Sequence, residues 1–548
     1  MLKSKKIVAL IIAVLMCLSV LASCKDNSAQ SSNSPSNSPS NSPSNSPTPT
    51  GDGATSAAPA PTGEAVRFAE EMEIIIDNIT VSTMNFFTPG SAVPGNEWSY
   101  ALMYDRLVYP TEVVGTFTPN LATEWSTDDY KTFTLKLRDD VVFHNGEKFT
   151  AHDVVYTANT AKAATGTPSY SNWNFVEEAT AVDEYTVKLV LGAVNVDFLS
   201  YLARPDAGIV NEKAMAQDAE KGVWVGTGAY ELTEFVANNY WVFERNEDYW
   251  GKPPITRKLT MRYVPEISAR AIMLSNNEAQ ICFKISVEDM SMFENNPDFT
   301  VFDRVINNPT PLNFNMADPI TGDINFRKAV ASALNREDLA IIYNGNYALP
   351  DYGDGSFWGY YTEFRNKDIP AIPEDLDKAK EYLAASSYNG ETVEIIAAIA
   401  GNIKAAEMLQ QQLNKINIKT EIKPMESPAV PSYVQWGNNQ SQMYIAGCPL
   451  SMSAANIRSL LYPGSPSNLT SYNNQEIADM LDEAAVETDY EARKAIYMEI
   501  QRIVSEDPAQ INLYWICETV VGLNGVGGIS WLSDAFYDLR YIYYQLEG

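Results

Sequence analysis

The chain has 548 residues, with 69 acidic against 39 basic side chains and a net charge of −30. So large an acidic excess argues against nucleic acid as the partner, because phosphate recognition needs basic clusters. Five cysteines and two histidines, His144 and His152, with no Cys-x-x-Cys pair, argue against a zinc site of the Cys/His type.

The first residues set an address. Lys3, Lys5 and Lys6 form a basic start, and Ile7 to Val20 is almost wholly apolar. That stretch is shorter than the roughly 20 residues a membrane-spanning helix needs and fits the apolar region of a secretory signal. It ends in Leu21-Ala22-Ser23-Cys24, small residues before a cysteine. Residues 1–23 are therefore expected to be a lipoprotein signal peptide and Cys24 the lipid anchor. Removing them takes away three lysines and no acid, so 36 basic face 69 acidic residues, a net −33. Asn33 to Pro47 then repeats Asn-Ser-Pro-Ser, and residues 24–65 carry few charges or large apolar groups. Such a chain buries too little surface to offset its ordering entropy, and proline keeps it extended, so it reads as a tether. The body that follows is too long for one core, which predicts two or three domains.

Within the body, Thr132 to Val142 alternates, with Phe133, Leu135 and Leu137 on one face, which predicts a half-buried strand. Gly146 turns the chain, and Thr150-Ala151-His152-Asp153 resembles a capping box opening a helix through Ala164. Asp183 to Leu191 alternates again. Ile403, Ala406, Leu409, Leu413 and Ile416 recur at helical spacing, as do Ala492, Ile496, Ile500 and Ile503, which predicts two amphipathic helices packed on a sheet. Val393 to Ala398 and Met443 to Ala446 read as short strands between them. The class is α/β. Cys282, Cys448 and Cys517 are buried thiols, or one disulfide and one thiol. Gly522 to Gly528 reads as a turn, because no helix opens after it to hold a phosphate.

Several blocks of short motifs follow one another along the chain. Thr118-Pro119-Asn120-Leu121-Ala122-Thr123-Glu124-Trp125, Val142-Phe143-His144-Asn145-Gly146 and Phe149 to Tyr156 form the first block. Gly226-Thr227-Gly228-Ala229-Tyr230 and Glu244 to Gly251 look like the second. Phe326-Arg327-Lys328-Ala329-Val330 and Ala333-Leu334-Asn335-Arg336-Glu337 look like the third, and Asp377 to Leu383 and Ala492-Arg493-Lys494 fit later helices. In this order the blocks resemble the signature of the family 5 extracellular solute-binding proteins, and the resemblance covers roughly residues 68 to 545.

It implies a periplasmic-binding-protein-like type II fold, two lobes joined by a hinge, with an extra inserted domain. Lobe I would take 66–110, 222–312 and 518–548, the inserted α/β domain 111–221, and lobe III 313–517. It also implies the substrate-binding component of an ABC importer, which captures di- or oligopeptides between the lobes and delivers them to a permease and its ATPase. No cofactor, metal or enzymatic activity is implied. A monomer on the outer face of the cytoplasmic membrane is expected, and the long tether points to a Gram-positive surface.

The resemblance places ligand contacts on main chain and pockets from both lobes. Ser91, Ala92 and Val93 are one stretch, with Trp98 just after it as a further candidate ligand contact; Gly447, Cys448 and Leu450 belong to the other. In the peptide binders an aspartate in that second stretch pairs with the ligand's α-ammonium; here the matching position is Leu450. Either another acid substitutes or the ligand lacks a free amine. The aromatics Trp358, Tyr433, Trp436, Tyr514 and Trp515 offer flat faces suited to sugar rings or peptide side chains, so an oligosaccharide is the alternative ligand. Arg365 and Arg458 are candidates for a ligand carboxylate, with surface ion pairing as the plainer role. His-Glu-x-x-His, Gly-x-Ser-x-Gly and Walker loops are absent, which disfavours an enzyme; a glycosidase carboxylate pair or a sensing receptor are the remaining rivals.

Overall fold

The computed structural model describes residues 66–77, 83–89, 91, 94–351, 363–370, 372–446, 455–531 and 537–546, and residues 64–548 cluster as one unit. An 11-stranded sheet runs through it. From one edge its order is Lys419–Pro424, Thr392–Ala397, Met443–Ile445, Phe299–Phe314, Gln510–Leu523, Ile281–Phe283, Glu71–Ile76, Lys258–Tyr263, Tyr240–Arg245 and Tyr230–Val236, with Ala348–Pro350 paired beside Gln510–Leu523.

The two central strands are 16 and 14 residues long, far above the usual strand, and they join two halves of the sheet that have separate cores. Phe299 to Val305 pair with Leu523 to Cys517, and Pro309 to Asn313 pair with Trp515 to Gln510. The register slips between these runs, at Val305/Pro309, and again inside the second, at Thr310/Pro311. Proline has no N–H to give the ladder, so Pro309 and Pro311 weaken pairing where the chain passes from one half to the other. Such a bulged, proline-broken ladder is a natural bending point. The boundaries drawn at 312/313 and 517/518 both fall inside these crossing strands.

One half of the sheet has a core of Ile74, Trp98, Trp241, Phe283 and Val520, here called lobe I, and the other a core of Phe326, Ile395, Leu409 and Leu513, here called lobe III, with Leu312 of the crossing strand packed into it. A third core belongs to a separate four-stranded antiparallel sheet, ordered Ala122–Ser126, Thr132–Leu137, Thr186–Leu191, Val176–Asp183. It takes in Leu107 and Val108, ahead of residue 111. Phe133, Leu135 and Leu137 are buried as the alternation predicts, although the strand stops at Leu137 and Val142 only bridges Lys148. Thr150 starts the helix Ala151–Ala163, and the Asp153 carboxylate accepts from its N–H at 3.0 Å and its hydroxyl at 3.1 Å.

The helix Ala400–Asn414 packs the expected stripe against the lobe III sheet. The second predicted helix departs from expectation. Tyr490–Glu506 lies against the helix Gln475–Val486 rather than a sheet, and it buries Arg493, Tyr497, Ile500, Gln501 and Val504.

One buried polar assembly holds the inserted domain to lobe I, and a second, within lobe I, lies beside that junction. The His144 ring accepts the Gly226 N–H at Nδ1, 3.2 Å, and donates from Nε2 to the Gly228 carbonyl at 3.0 Å. Burial lowers its pKa, so the neutral tautomer persists. Glycine is required at Gly226 and Gly228 because a Cβ there would lie 1.9 Å from the Met103 carbonyl oxygen and 2.3 Å from that of Leu102. The second assembly centres on Asp105. Its carboxylate accepts from Trp250 Nε1 at 2.7 Å, Tyr249 Oη at 3.3 Å and Thr227 Oγ1 at 3.3 Å. Arg540 reaches Asp105 at 3.8 Å and grips Asp538 through two bonds of 2.9 and 2.7 Å, while Tyr109 donates to Asp538 at 2.7 Å.

Candidate functional site

The strands fix where a ligand cleft lies. Glu71–Ile76, Lys258–Tyr263 and Ile281–Phe283 run parallel in lobe I, and Lys419–Pro424, Thr392–Ala397 and Met443–Ile445 run parallel in lobe III. Phe283 pairs with Val520, so the lobe I strands end toward Thr519 and Glu518, on the crossing side. Ile445 pairs with Leu312, so the lobe III strands end toward Pro311. The carboxyl ends of both sets therefore face the hinge, the position where open α/β sheets place their ligands.

On the lobe I side three charged residues gather at those ends. Asp77 follows Ile76, Lys284 follows Phe283, and Glu518 precedes Thr519. Lys284 Nζ lies 3.4 Å from Asp77 Oδ2 and 3.4 Å from Glu518 Oε1. Burial opposes the Lys284 charge, but Glu518 and Asp77 together hold its pKa above the usual lysine range. Lys284 has a left-handed backbone, φ 55°, unusual for a side chain of its size. Arg270 fixes that turn by donating to the carbonyls of Val264, Pro265 and Lys284. Behind the cluster stand Trp98, Phe283 and Tyr537, with ring centroids 4.7 to 5.1 Å apart.

On the lobe III side, Arg365 lies 3.5 Å from Asp351 and over the Trp515 ring at 5.2 Å, and Asn512 donates to Asp351 at 3.2 Å. Tyr433 lines a polar cavity of about 490 Å³ with Asn315, Asp318, Glu394, Asn439 and Gln442. That cavity opens at the amino ends of the strands beginning at Thr392 and Met443, away from the crossing.

The residues chosen from sequence scatter accordingly. Ser91 is buried, with its hydroxyl donating to the Thr88 carbonyl at 2.8 Å. Trp98 is 3% exposed inside the lobe I core. Tyr514 is buried and stacked on Tyr343 at 4.6 Å, and Trp515 is buried beneath Arg365. Tyr433 is half-buried with Lys423 Nζ 4.5 Å above its ring, and Trp436 is half-buried. Arg458 pairs with Asp482 and lies 4.0 Å over the Tyr462 ring. Cys24, Ala92, Val93, Trp358, Gly447, Cys448 and Leu450 lie outside the described residues. Cys282 and Cys517 are buried free thiols. Sequence reading passed over Asp77, Lys284 and Glu518. The signal available for the first two was a charge placed directly after a buried run, Ile74-Ile75-Ile76 or Ile281-Cys282-Phe283.

Among the described residues no group of three or more His, Cys, Asp or Glu could hold a metal, and no helix is long and apolar enough to cross a membrane. The model of bacterial extracellular solute-binding proteins, family 5 Middle, matches residues 116–468. The glutathione-binding protein GsiB of Escherichia coli strain K12 is 26% identical over 404 residues, 70% of this chain and 78% of that protein. A putative peptide binding protein, AppA from Clostridium difficile, superposes with a TM-score of 0.77 at 22% identity, covering 87% of this chain and 100% of that one. DppA from Helicobacter pylori in complex with the peptide STSA superposes with a TM-score of 0.69 at 23% identity, covering 88% and 99%. These likenesses fix the fold as that of a type II binding protein, with a family role in solute binding rather than catalysis. The chain belongs to family 5 of the bacterial extracellular solute-binding proteins.

Proposed function

We propose that the chain is the substrate-binding lipoprotein of an ABC importer, anchored through Cys24 outside the cytoplasmic membrane, which encloses short peptides between its lobes and passes them to a permease. The observation that carries this reading is the pair of crossing strands whose ladder breaks at Pro309 and Pro311, directly beside the converging strand ends of both lobes. Closure about that break brings the two sets of ends together, and a ligand that touches both lobes stabilises the closed state. The lobe assignments 66–110, 222–312 and 518–548 against 313–517, with 111–221 inserted, belong to the same proposal.

The oligosaccharide alternative rests on half-buried Trp436 and on Tyr433 beside its polar cavity. It is weakened because Trp98, Tyr514 and Trp515 bury their rings and Lys423 covers Tyr433. Native mass spectrometry of the protein purified without refolding tests the choice. A series of masses that fragment as peptides is the expected result. Masses spaced by a hexose would overturn the peptide reading.

A further inference from the structure

We infer that Asp77 and Glu518, gathered around Lys284 at the carboxyl ends of the lobe I strands, form the subsite that takes a cationic amine of the ligand; this rests on the peptide reading above. Two carboxylates share one lysine ammonium here, each 3.4 Å from it. The Arg270 guanidinium close by is committed to three backbone carbonyls.

The cluster also has unmet hydrogen-bonding capacity. Asp77 Oδ1 is buried and accepts no hydrogen bond. The Tyr537 hydroxyl, on a residue 1% exposed, interacts with Glu518 and Asp77 at the buried side of the cluster and leaves Asp77 Oδ1 unmet. A buried acceptor without a donor costs free energy, and native interiors seldom leave one so. An ammonium brings three N–H donors and the charge that two carboxylates around one lysine lack. The apolar wall of Trp98, Phe283 and Tyr537 lowers the local dielectric and strengthens that pairing.

This placement accounts for the departure at Leu450. The resemblance expects the acid for the ligand's amine on the lobe III side; here the charge comes from lobe I, where strands at residues 76, 283 and 518 converge. The three side chains belong to segments more than 200 residues apart and meet nowhere but at the hinge-facing edge.

The test is competition between two pools of random tri- to pentapeptides without Lys, Arg or His, one with free amino termini and one N-acetylated, read by native mass spectrometry. The wild type is expected to prefer the free-amine pool by about tenfold or more, the scale of one charge-assisted pairing. D77N and E518Q together are expected to bring the preference below about threefold while the far-ultraviolet circular dichroism stays unchanged. Equal binding of both pools by the wild type overturns the inference and leaves the peptide reading intact. Binding of neither pool overturns both. An undiminished preference in the double variant overturns the inference alone.

Discussion

Arg540→Ala destabilises lobe I and its junction with the inserted domain by about 3–5 kcal/mol, the scale for stripping one partner from a buried ion pair. The reason lies in what stays behind. Asp538 and Asp105, with side chains 6% and 1% exposed, would keep buried carboxylates without their cation. Burial works against the Asp538 charge, yet Arg540 holds its pKa at about 2, so the pairing outweighs the desolvation. Asp105 keeps donors from Trp250, Tyr249 and Thr227, so most of the loss falls on Asp538 and on Tyr109, which donates to it. Chemical denaturation followed by tryptophan fluorescence reads the effect. A change below about 1 kcal/mol, the size of a surface pair, would contradict it.

Trp98→Ala costs a similar amount, about 3–5 kcal/mol, as expected for truncating a large aromatic in a packed core. Sequence reading placed Trp98 against the ligand. The structure instead packs it on Phe283 at 4.8 Å and Tyr537 at 5.1 Å, with 3% of the residue exposed. Its indole therefore supports the wall behind Lys284. The same denaturation experiment decides between the two roles. A stable variant that has lost ligand would return Trp98 to the binding surface, whereas a destabilised variant makes it core.

Some of this was legible in the chain and some was not, for physical reasons. Phe133, Leu135 and Leu137 could be read because a half-buried strand must alternate and nothing else in that segment competes. The helix Tyr490–Glu506 was placed correctly, and Ile496, Ile500 and Ile503 do pack on its core, but that core lies against a helix rather than a sheet. Its buried face includes Arg493, which donates to the Glu487 carbonyl at 2.8 Å, and Gln501, which donates to that of Phe364 at 2.7 Å. Polar side chains buried through backbone carbonyls leave no trace in an apolar period. The aromatics misled in the opposite direction. Tyr514 and Trp515 sit on a strand shared by both lobes, so flat rings that looked like platforms are packing between elements. The Asp77–Lys284–Glu518 cluster has no motif that joins its members, since each is fixed by a different strand of the sheet and the charge after a buried run marks only the first two singly.

The central claim is that the lobes close on a peptide. Small-angle X-ray scattering of ligand-free protein, titrated with a mixed tri- to pentapeptide pool and separately with a malto-oligosaccharide pool, tests it most directly. The account predicts that the radius of gyration falls as the peptide pool is added and stays constant with the sugars. A fall with the sugars alone, or no change while peptide is demonstrably bound, would contradict it.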